Sequence, residues 1–281
     1  MTITTTTAHQ EKNRAALSSV IAAIGLTTFK LIVGLLTNSL GIIAEALHSG
    51  LDLLAALVTL FAVRESGKPA DDAHHYGHGK VENISALFET LLLLVTCVWI
   101  IYESIQRLFY RSVEVDASIW AFIVMAASIG IDFTRSRILS RAARKYNSQA
   151  LEADALHFST DIWSSTVVIL GLVGVRLASV IPSLHILKKA DAVAALGVAV
   201  IVVYVSFQLG YRAVQGLLDR APNGLSVKIK DAVEAIPGVA DCHHIRIRPS
   251  GPETFVDVHV LLDKHLSLQD AHALTEVIEK A

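Results

Sequence analysis

Six long apolar runs occupy the first three quarters of the chain. A helix needs about 20 residues to cross about 30 Å of hydrocarbon, and each run is long enough to do so. The pattern therefore predicts six transmembrane helices, at residues 15–37, 40–63, 84–109, 116–138, 150–180 and 185–210.

Beyond Arg220 the long apolar runs give way to shorter periods. Residues 225–236 and 266–280 have the spacing of amphipathic helices, whereas residues 241–249 and 253–263 have the alternation of strands. The order α-β-β-α predicts a small α+β domain. We divide the chain into a cytoplasmic tail, a transmembrane domain and a cytoplasmic domain, with bounds 1–14, 15–212 and 213–281. The tail is polar and Thr-rich, and we expect it to be disordered.

Composition agrees with a mainly α-helical membrane protein. Of the 281 residues 53% are hydrophobic and 18% are charged, with a mean hydropathy of +0.52, which is too apolar for an ordinary soluble domain. A formal net charge of -2 argues against nucleic acid as a partner, because phosphate binding needs a basic surface. The two cysteines, Cys97 and Cys242, form no Cys-x-x-Cys pair, so any metal ligands must be oxygen or imidazole.

One eight-residue pattern occurs twice inside apolar segments. Residues 45–52 read Glu-Ala-Leu-His-Ser-Gly-Leu-Asp, and residues 154–161 read Asp-Ala-Leu-His-Phe-Ser-Thr-Asp. Positions four apart share one face of a helix, so each copy presents a His and an Asp together. A lone buried His is more often a hydrogen-bonded core residue, but repetition of the whole pattern favours a metal site built from His48, Asp52, His157 and Asp161.

The spacing of these four residues also indicates how such a site would work. Two imidazoles and two carboxylates complete a tetrahedral Zn²⁺ site and leave no position for a reactive water, which favours binding and release over catalysis. Glu45 and Asp154 lie one turn before each His and are candidates either for hydrogen bonds to the imidazoles or for spare ligands.

Basic residues indicate the orientation in the membrane. If both termini are cytoplasmic, most Lys and Arg residues lie on the cytoplasmic side. The second span then runs inward and the fifth outward, which places the two octads antiparallel near the midplane. Antiparallel copies of one motif at that depth suit an alternating-access transporter.

Other polar residues lie in or beside the predicted spans. Lys30 and Asp132 fall in the first and fourth spans, and we expect them to pair with each other because pairing lowers the cost of burial. The loop after the second span contains Asp71, His74 and His78, which could converge on one metal if this segment forms a helical turn. An ordinary solvated loop is the alternative.

The chain resembles the bacterial ferrous-iron and zinc efflux branch of the cation diffusion facilitator family over nearly its whole length. The resemblance rests on the two His-x-x-x-Asp pairs, on Pro69–Lys80, on Ser148–His157 and on Leu217–Arg220. It implies a homodimeric, proton-coupled exporter of divalent metal with six membrane helices and a cytoplasmic ferredoxin-like domain. It also implies that the four octad residues form the transport site. Relatives have Asp in place of His48, and this difference favours Zn²⁺ over Fe²⁺, Cd²⁺, Co²⁺ and Mn²⁺.

The resemblance has further implications outside the spans. It favours a second metal site at the Asp71 loop, and it matches Lys80 and Asp219 to a charge cluster between protomers. Cys242 and four histidines are candidates for a regulatory site in the last domain, and the resemblance points to His243, His259 and His272. Adjacent residues of a strand face opposite ways, so we expect His244 not to share an ion with His243. Relatives add a final strand, and we expect that it is missing here by truncation.

We therefore predict a multi-pass protein of the bacterial inner membrane that exports Zn²⁺ in exchange for protons. Two other classes stay open from the residues alone. A membrane metalloenzyme would need several His-rich boxes at the membrane surface, and a metal sensor that does not transport would have little use for ligands inside the membrane.

Overall fold

The computed structural model describes residues 2–109, 119–180 and 190–280. Six long helices come first, followed by a short helix, two strands and a last helix. The long helices are α1 (Thr2–Thr37), α2 (Leu40–Ser66), α3 (Val81–Phe109), α4 (Ile119–Tyr146), α5 (Gln149–Val180) and α6 (Ala190–Leu217). The C-terminal elements are α7 (Leu225–Glu234), β1 (Val239–Ser250), β2 (Glu253–Leu262) and α8 (Leu268–Ile278).

The long helices agree with the predicted spans in number and order, with one clear difference at the N-terminus. Helix α1 begins at Thr2, so the prediction of a disordered tail over residues 1–14 is wrong. Contacts with other helices hold this part of α1: Lys12 Nζ lies 2.7 Å from Glu82 Oε1 on α3, with both side chains almost fully enclosed, and Glu11 Oε2 lies 2.7 Å from Lys145 Nζ on α4. These contacts continue the helix beyond its apolar part.

Four helices contain segments that are long and apolar enough to cross a membrane, at residues 7–37, 45–66, 81–106 and 196–217 of the described chain. Helices α4 and α5 have similar lengths, but α4 carries several basic residues in its second half and α5 carries three acidic residues in its first half. The six predicted spans are therefore supported as helices, and four of them as apolar spans.

The helices pack through small residues. One core cluster joins α1, α2, α4 and α5 and includes Ala16, Ala56, Ala143, Ala155 and the fully buried Phe158. Alanine at such positions allows helix backbones to approach closely, which is the usual packing of membrane helices. A second cluster brings Ala86 of α3, Ala153 of α5 and Ala213 of α6 together.

Helices α2 and α5 run antiparallel. Ser66, at the end of α2, donates a hydrogen bond to Glu82 Oε1 (2.9 Å), and Ser148, just before α5, donates to Glu82 Oε2. The end of α2 and the start of α5 therefore meet at one end of the bundle. We call this end, next to the 67–80 connection, the loop end.

The α-β-β-α order of the C-terminal region is confirmed. Strands β1 and β2 form an antiparallel two-stranded sheet, joined by a tight turn in which Gly251 has φ +60°. The register changes between His243 and Arg246, where three steps along β1 oppose two along β2. This β-bulge bends the strand and redirects its side chains.

Candidate metal sites

Both octads lie in the packed middle of the bundle, and their four predicted ligands converge. His157 Nε2 lies 3.0 Å from Asp52 Oδ1 and 3.6 Å from Asp161 Oδ2. His48 Nε2 lies 4.0 Å from Asp52 Oδ1 and 3.9 Å from Asp161 Oδ1. Ligand atoms of Asp52, His157 and Asp161 all lie within 4.8 Å of one another, and His48 borders this group through its contacts with the two carboxylates.

The His–Asp distances are close to those of one tetrahedral ion. Bonds of about 2.0–2.2 Å place the ligand atoms of a tetrahedral Zn²⁺ site about 3.4 Å apart, and the four His–Asp separations range from 3.0 to 4.0 Å. Asp52 and His157 are buried, whereas the His48 side chain is 41% exposed. His48 is therefore the ligand most open to the surroundings of the site.

The charged residues around this site pair differently from the prediction. Lys30 Nζ lies 3.2 Å from Glu45 Oε2 and 2.7 Å from Ser49 Oγ, and Asp132 pairs with Arg135 one turn along α4 at 3.1 Å. The predicted Lys30–Asp132 pair is wrong, because Lys30 of α1 pairs with residues of the adjacent helix α2 and Asp132 pairs with a residue of its own helix α4. Glu45 therefore forms an ion pair with Lys30.

Asp154 differs from its counterpart Glu45. It is fully buried, and Oδ2 accepts a hydrogen bond from Ser19 Oγ (3.3 Å). Ser19 also accepts from the Arg135 guanidinium, at 3.1 and 3.3 Å. The Ser19 hydroxyl therefore bridges the Arg135 guanidinium and the Asp154 carboxylate.

Two buried acids of the bundle were not predicted from the sequence. Glu82 and Glu89 are both fully buried on α3. Their seven-residue spacing on one face of an apolar helix was the signal that could have indicated them.

The loop between α2 and α3 brings its three predicted ligands together. Ligand atoms of Asp71, His74 and His78 all lie within 4.8 Å of one another. The His74 backbone N–H donates to Asp71 Oδ1 (2.6 Å), and its ring nitrogen lies 3.0 Å from the same oxygen. These hydrogen bonds, led by the backbone one, hold the pKa of Asp71 below its ordinary value. The carboxylate is therefore ready to bind a cation at neutral pH.

The same loop contacts the C-terminal domain. Tyr76 packs edge-on against Phe255, and Arg248 lies over the Tyr76 ring at 4.2 Å. Gly79 touches the backbone of Ser250 so closely that a Cβ at residue 79 would overlap with the Ser250 carbonyl oxygen. Only glycine allows this approach, which fixes the loop against the β1–β2 turn.

Lys80 and Asp219 form an ion pair within one chain, with Nζ 2.8 Å from Oδ1. Arg248 Nε lies 3.6 Å from the other oxygen of Asp219. Asp219 thereby links the start of α3, the end of α6 and strand β1.

A third group lies on the two-stranded sheet. Ligand atoms of His243, His244 and His259 lie within 4.8 Å of one another, with His243 directly opposite His259 in the register. The expectation that His244 faces away from His243 is wrong: the β-bulge gives His244 a φ of +53° and brings its ring to 5.1 Å from each of the other two. Asp241 Oδ2 lies 2.7 Å from His243 Nδ1, and this hydrogen bond lowers the pKa of Asp241.

His272 and Cys242 lie outside this group. His272 is exposed on α8 and is not part of the three-histidine cluster within the described chain. Cys242 is buried, and burial raises the pKa of its thiol, which makes it a poor thiolate ligand.

The bundle of long apolar helices contains a group of His and Asp side chains that could hold a metal ion, and the small C-terminal domain contains a group of histidines. These features are typical of a membrane protein that handles metal ions. The family model for the cation efflux transmembrane domain matches residues 16–218, and that for the cytoplasmic domain of cation efflux proteins matches residues 222–281. The chain belongs to the cation efflux family, also called the cation diffusion facilitators, and is a multi-pass membrane transporter.

Its relatives include proteins named as cation-efflux pumps. The chain is 33% identical over 270 residues to the cation-efflux pump FieF of Cronobacter sakazakii, covering 96% of this chain and 87% of the relative. The FieF pump of Salmonella arizonae is 33% identical over 274 residues, with the same coverage.

Proposed function

We propose that the protein exports divalent metal cations, with Zn²⁺ as the main substrate, in exchange for protons. The observation that carries this proposal is the convergence of Asp52, His157 and Asp161 within 4.8 Å of one another, with His48 Nε2 at 3.9–4.0 Å from the two carboxylates. A set of four ligands leaves no open position for a reactive water, so the site suits transient binding of a cargo ion. Membership in the cation efflux family favours transport over both the membrane metalloenzyme and the sensor.

Zn²⁺ is proposed because of the two imidazoles. Imidazole suits Zn²⁺, whereas sites made only of carboxylates, carbonyls and water suit Mn²⁺, Mg²⁺ and Ca²⁺. Fe²⁺, Co²⁺ and Cd²⁺ are the next candidates. The match to FieF pumps supports efflux of a cation without naming the ion.

Alternating access is the proposed mechanism. The two octads come from antiparallel helices, so a change in the tilt of α2 and α5 against their neighbours can expose one site to either side in turn. Metal binds only to neutral imidazole, so loading His48 and His157 releases any protons they hold, and an emptied site can take up protons. This exchange couples the two ion flows.

The proposed arrangement has six membrane crossings with both termini in the cytoplasm of a bacterial cell, in the inner membrane. Residues 15–212 form the membrane domain and residues 213–281 the cytoplasmic one. A homodimer is proposed because residues 222–281 match the family model for the cytoplasmic domain of cation efflux proteins, a domain named for dimerisation. The group Asp71, His74 and His78 (the loop cluster) is proposed as an additional metal site. The histidines of the two-stranded sheet, His243, His244 and His259 (the sheet cluster), are proposed as a regulatory metal site.

Transport of Zn²⁺ into proteoliposomes tests this function. Purified full-length protein in liposomes loaded with a zinc dye should give Zn²⁺ uptake well above that of liposomes without protein. The other divalent ions, added at the same concentration as Zn²⁺, should compete poorly for this uptake. Uptake equal to that of liposomes without protein would refute transport.

A further inference from the structure

Helix α4 carries arginines in two different settings. Arg135 is buried, and its guanidinium lies 3.1 Å from Asp132 Oδ1. Arg137, Arg141 and Arg144 are exposed instead. In the part of the chain that the structure describes, none of these three has a carboxylate oxygen within 4 Å or a hydrogen bond from its side chain. The outer side of α4 therefore carries three positive charges without a counter-charge.

The three arginines line one groove between α4 and α5. The groove has a volume of about 480 Å³, and none of the residues that line it is acidic. Phe133 of α4 and Trp163 of α5 also line it, and their side chains are largely exposed. Phe133 precedes Arg144 by 11 residues, which is about 16 Å along a helix. One part of the groove is therefore basic and lies towards the loop end, and the other part is aromatic.

Hydrogen bonds between the two helices fix the floor of this groove. Ser136 Oγ of α4 donates to the Ala155 carbonyl oxygen of α5 (3.0 Å) and lies 2.7 Å from Ser159 Oγ. Both serines line the groove. Because these contacts hold α4 against α5, the groove is formed before any ligand arrives.

The position of α4 in the membrane indicates what the groove binds. Its basic second half keeps α4 from being an apolar span, and arginine is costly in hydrocarbon unless it pairs or reaches the headgroups. The predicted fourth span ends at residue 138, which places Arg141 and Arg144 at headgroup level. Phe133 lies within the span, so the groove changes from basic to apolar in the same direction as a phospholipid does.

We propose that this groove binds an anionic phospholipid of the bilayer, with Arg137, Arg141 and Arg144 bonding its phosphate and Phe133 and Trp163 contacting an acyl chain. Guanidinium groups bind phosphate oxygens in pairs of hydrogen bonds. Basic pockets between membrane helices on the cytoplasmic side suit such headgroups. The aromatic part of the groove would have no contact with a free phosphate ion. The lipid supplies the negative charge that the outer side of α4 lacks, whichever ion the protein carries.

Trp163 provides a reporter inside the groove. The chain has three tryptophans, and Trp99→Phe with Trp120→Phe leaves Trp163 as the only one. Both replaced side chains are largely exposed, so the fold should tolerate the change. Bromine atoms on an acyl chain quench tryptophan fluorescence on contact. The full-length protein is placed in phosphatidylcholine bilayers with increasing fractions of brominated phosphatidylglycerol, and a parallel series uses brominated phosphatidylcholine.

Brominated phosphatidylglycerol should quench Trp163 at a much lower mole fraction than brominated phosphatidylcholine does. Arg137→Gln, Arg141→Gln and Arg144→Gln should each raise the mole fraction for half-maximal quenching about fivefold, the scale of one basic residue at an anionic surface. The triple variant should respond equally to the two lipids. All variants should elute at the size of the unaltered chain, because the three side chains are exposed.

Arg212→Gln is the matched control. Arg212 lies five residues before the end of α6, as Arg141 does in α4, but it pairs with Glu152 and does not line the groove. This substitution should leave the preference for phosphatidylglycerol unchanged. A preference lost equally in Arg212→Gln and Arg141→Gln would show a general effect of surface charge and would overturn the site.

Two further results would overturn the proposal. One is equal quenching by the two brominated lipids when all three arginines are present, and the other is a preference that survives in the triple variant. Excess inorganic phosphate should not relieve the quenching, and full relief would show an anion site that does not need a lipid. The measurement contains no Zn²⁺, so its outcome is independent of whether the protein transports metal.

Discussion

Asp52 and His157 lie 105 positions apart in the chain, yet Asp52 Oδ1 is 3.0 Å from His157 Nε2 inside the helical bundle. The contact crosses from α2 to α5, and each helix places a second candidate ligand one turn away, His48 before Asp52 and Asp161 after His157. The two copies of the octad therefore meet between the helices, as the proposed transport site requires.

His48 should determine which ions are carried. His48→Asp replaces an imidazole with a carboxylate and gives one nitrogen and three carboxylate ligands, a set that accommodates Mn²⁺ and larger coordination numbers better. We expect the ratio of Zn²⁺ to Mn²⁺ uptake to fall, with a gain for Cd²⁺ as well. Competition uptake in proteoliposomes measures the ratio, and His75→Asp, an exposed loop histidine, serves as control. An unchanged ratio in His48→Asp would show that His48 does not select the ion.

Proton release should accompany metal binding. Metal and protons compete for the same imidazole nitrogens, so the apparent affinity for Zn²⁺ should weaken as the pH falls from about 7.5 to 5.5. Liposomes that contain a pH dye should show protons moving opposite to Zn²⁺. Zinc flux without proton counterflow, or an affinity independent of pH, would rule out this coupling.

Asp71 should contribute to metal binding at the loop without adding pH dependence in that range. Its pKa is held below the ordinary Asp value by the His74 backbone N–H, so it stays ionised above about pH 4 and its hydrogen bonds are lost only as the pH falls through the lowered value. Asp71→Asn should weaken Zn²⁺ binding by the loop about tenfold or more. The change in affinity between pH 7.5 and 5.5 should stay the same. A flattened pH profile in Asp71→Asn would contradict this assignment.

The Lys12–Glu82 pair should be costly to break. Removing one partner of a buried pair typically costs about 3–5 kcal/mol, because the other charge is left buried and unpaired. Lys12→Met and Glu82→Gln should each lower the unfolding midpoint, and the double variant should recover much of the loss. Arg212→Met, at a surface pair with Glu152, should cost about 1 kcal/mol or less. Additive losses in the double variant would show that the two side chains do not interact.

His244 should take part in metal binding by the C-terminal domain, and His272 of the same chain should not. In a full-length chain with the proposed transport site and the loop cluster disabled, His244→Ala should lower Zn²⁺ affinity as much as His243→Ala does. His272→Ala provides the matched control. A larger loss of affinity in His272→Ala than in His244→Ala would contradict this. It would favour the ligand set His243, His259 and His272 that the family resemblance implies.

Much of the fold and the residues of the candidate site can be predicted from the sequence, for identifiable reasons. Long apolar runs determine helix positions because the length of a span is set by the bilayer, and the octads kept both residue type and four-residue spacing. The ends of helices were less predictable. Lys12 and Glu82 extend α1 through a contact between residues 70 positions apart, which local pattern does not encode.

The errors share a cause in side-chain geometry. Charge and position within predicted spans favour a Lys30–Asp132 ion pair. In the structure, however, Lys30 has a partner on the adjacent helix and Asp132 has one a single turn away on its own helix. His244 was excluded by the regular alternation of a strand, and a single bulge residue reverses that conclusion. A lone acid in an apolar helix, such as Glu89, has no repeated pattern around it from which a role could be predicted.

The most direct test of the central claim compares Zn²⁺ uptake by the unaltered chain with that of Asp52→Ala and Asp161→Ala in matched proteoliposomes, with Glu152→Gln as the charge control. Each Ala substitution removes one charged ligand of four and should reduce uptake by well over 100-fold, more than the loss typical of residues that only support ligands. The protein should elute at the same size as the unaltered chain. Uptake at the unaltered rate in either Ala variant would contradict the assignment of these residues as the transport site.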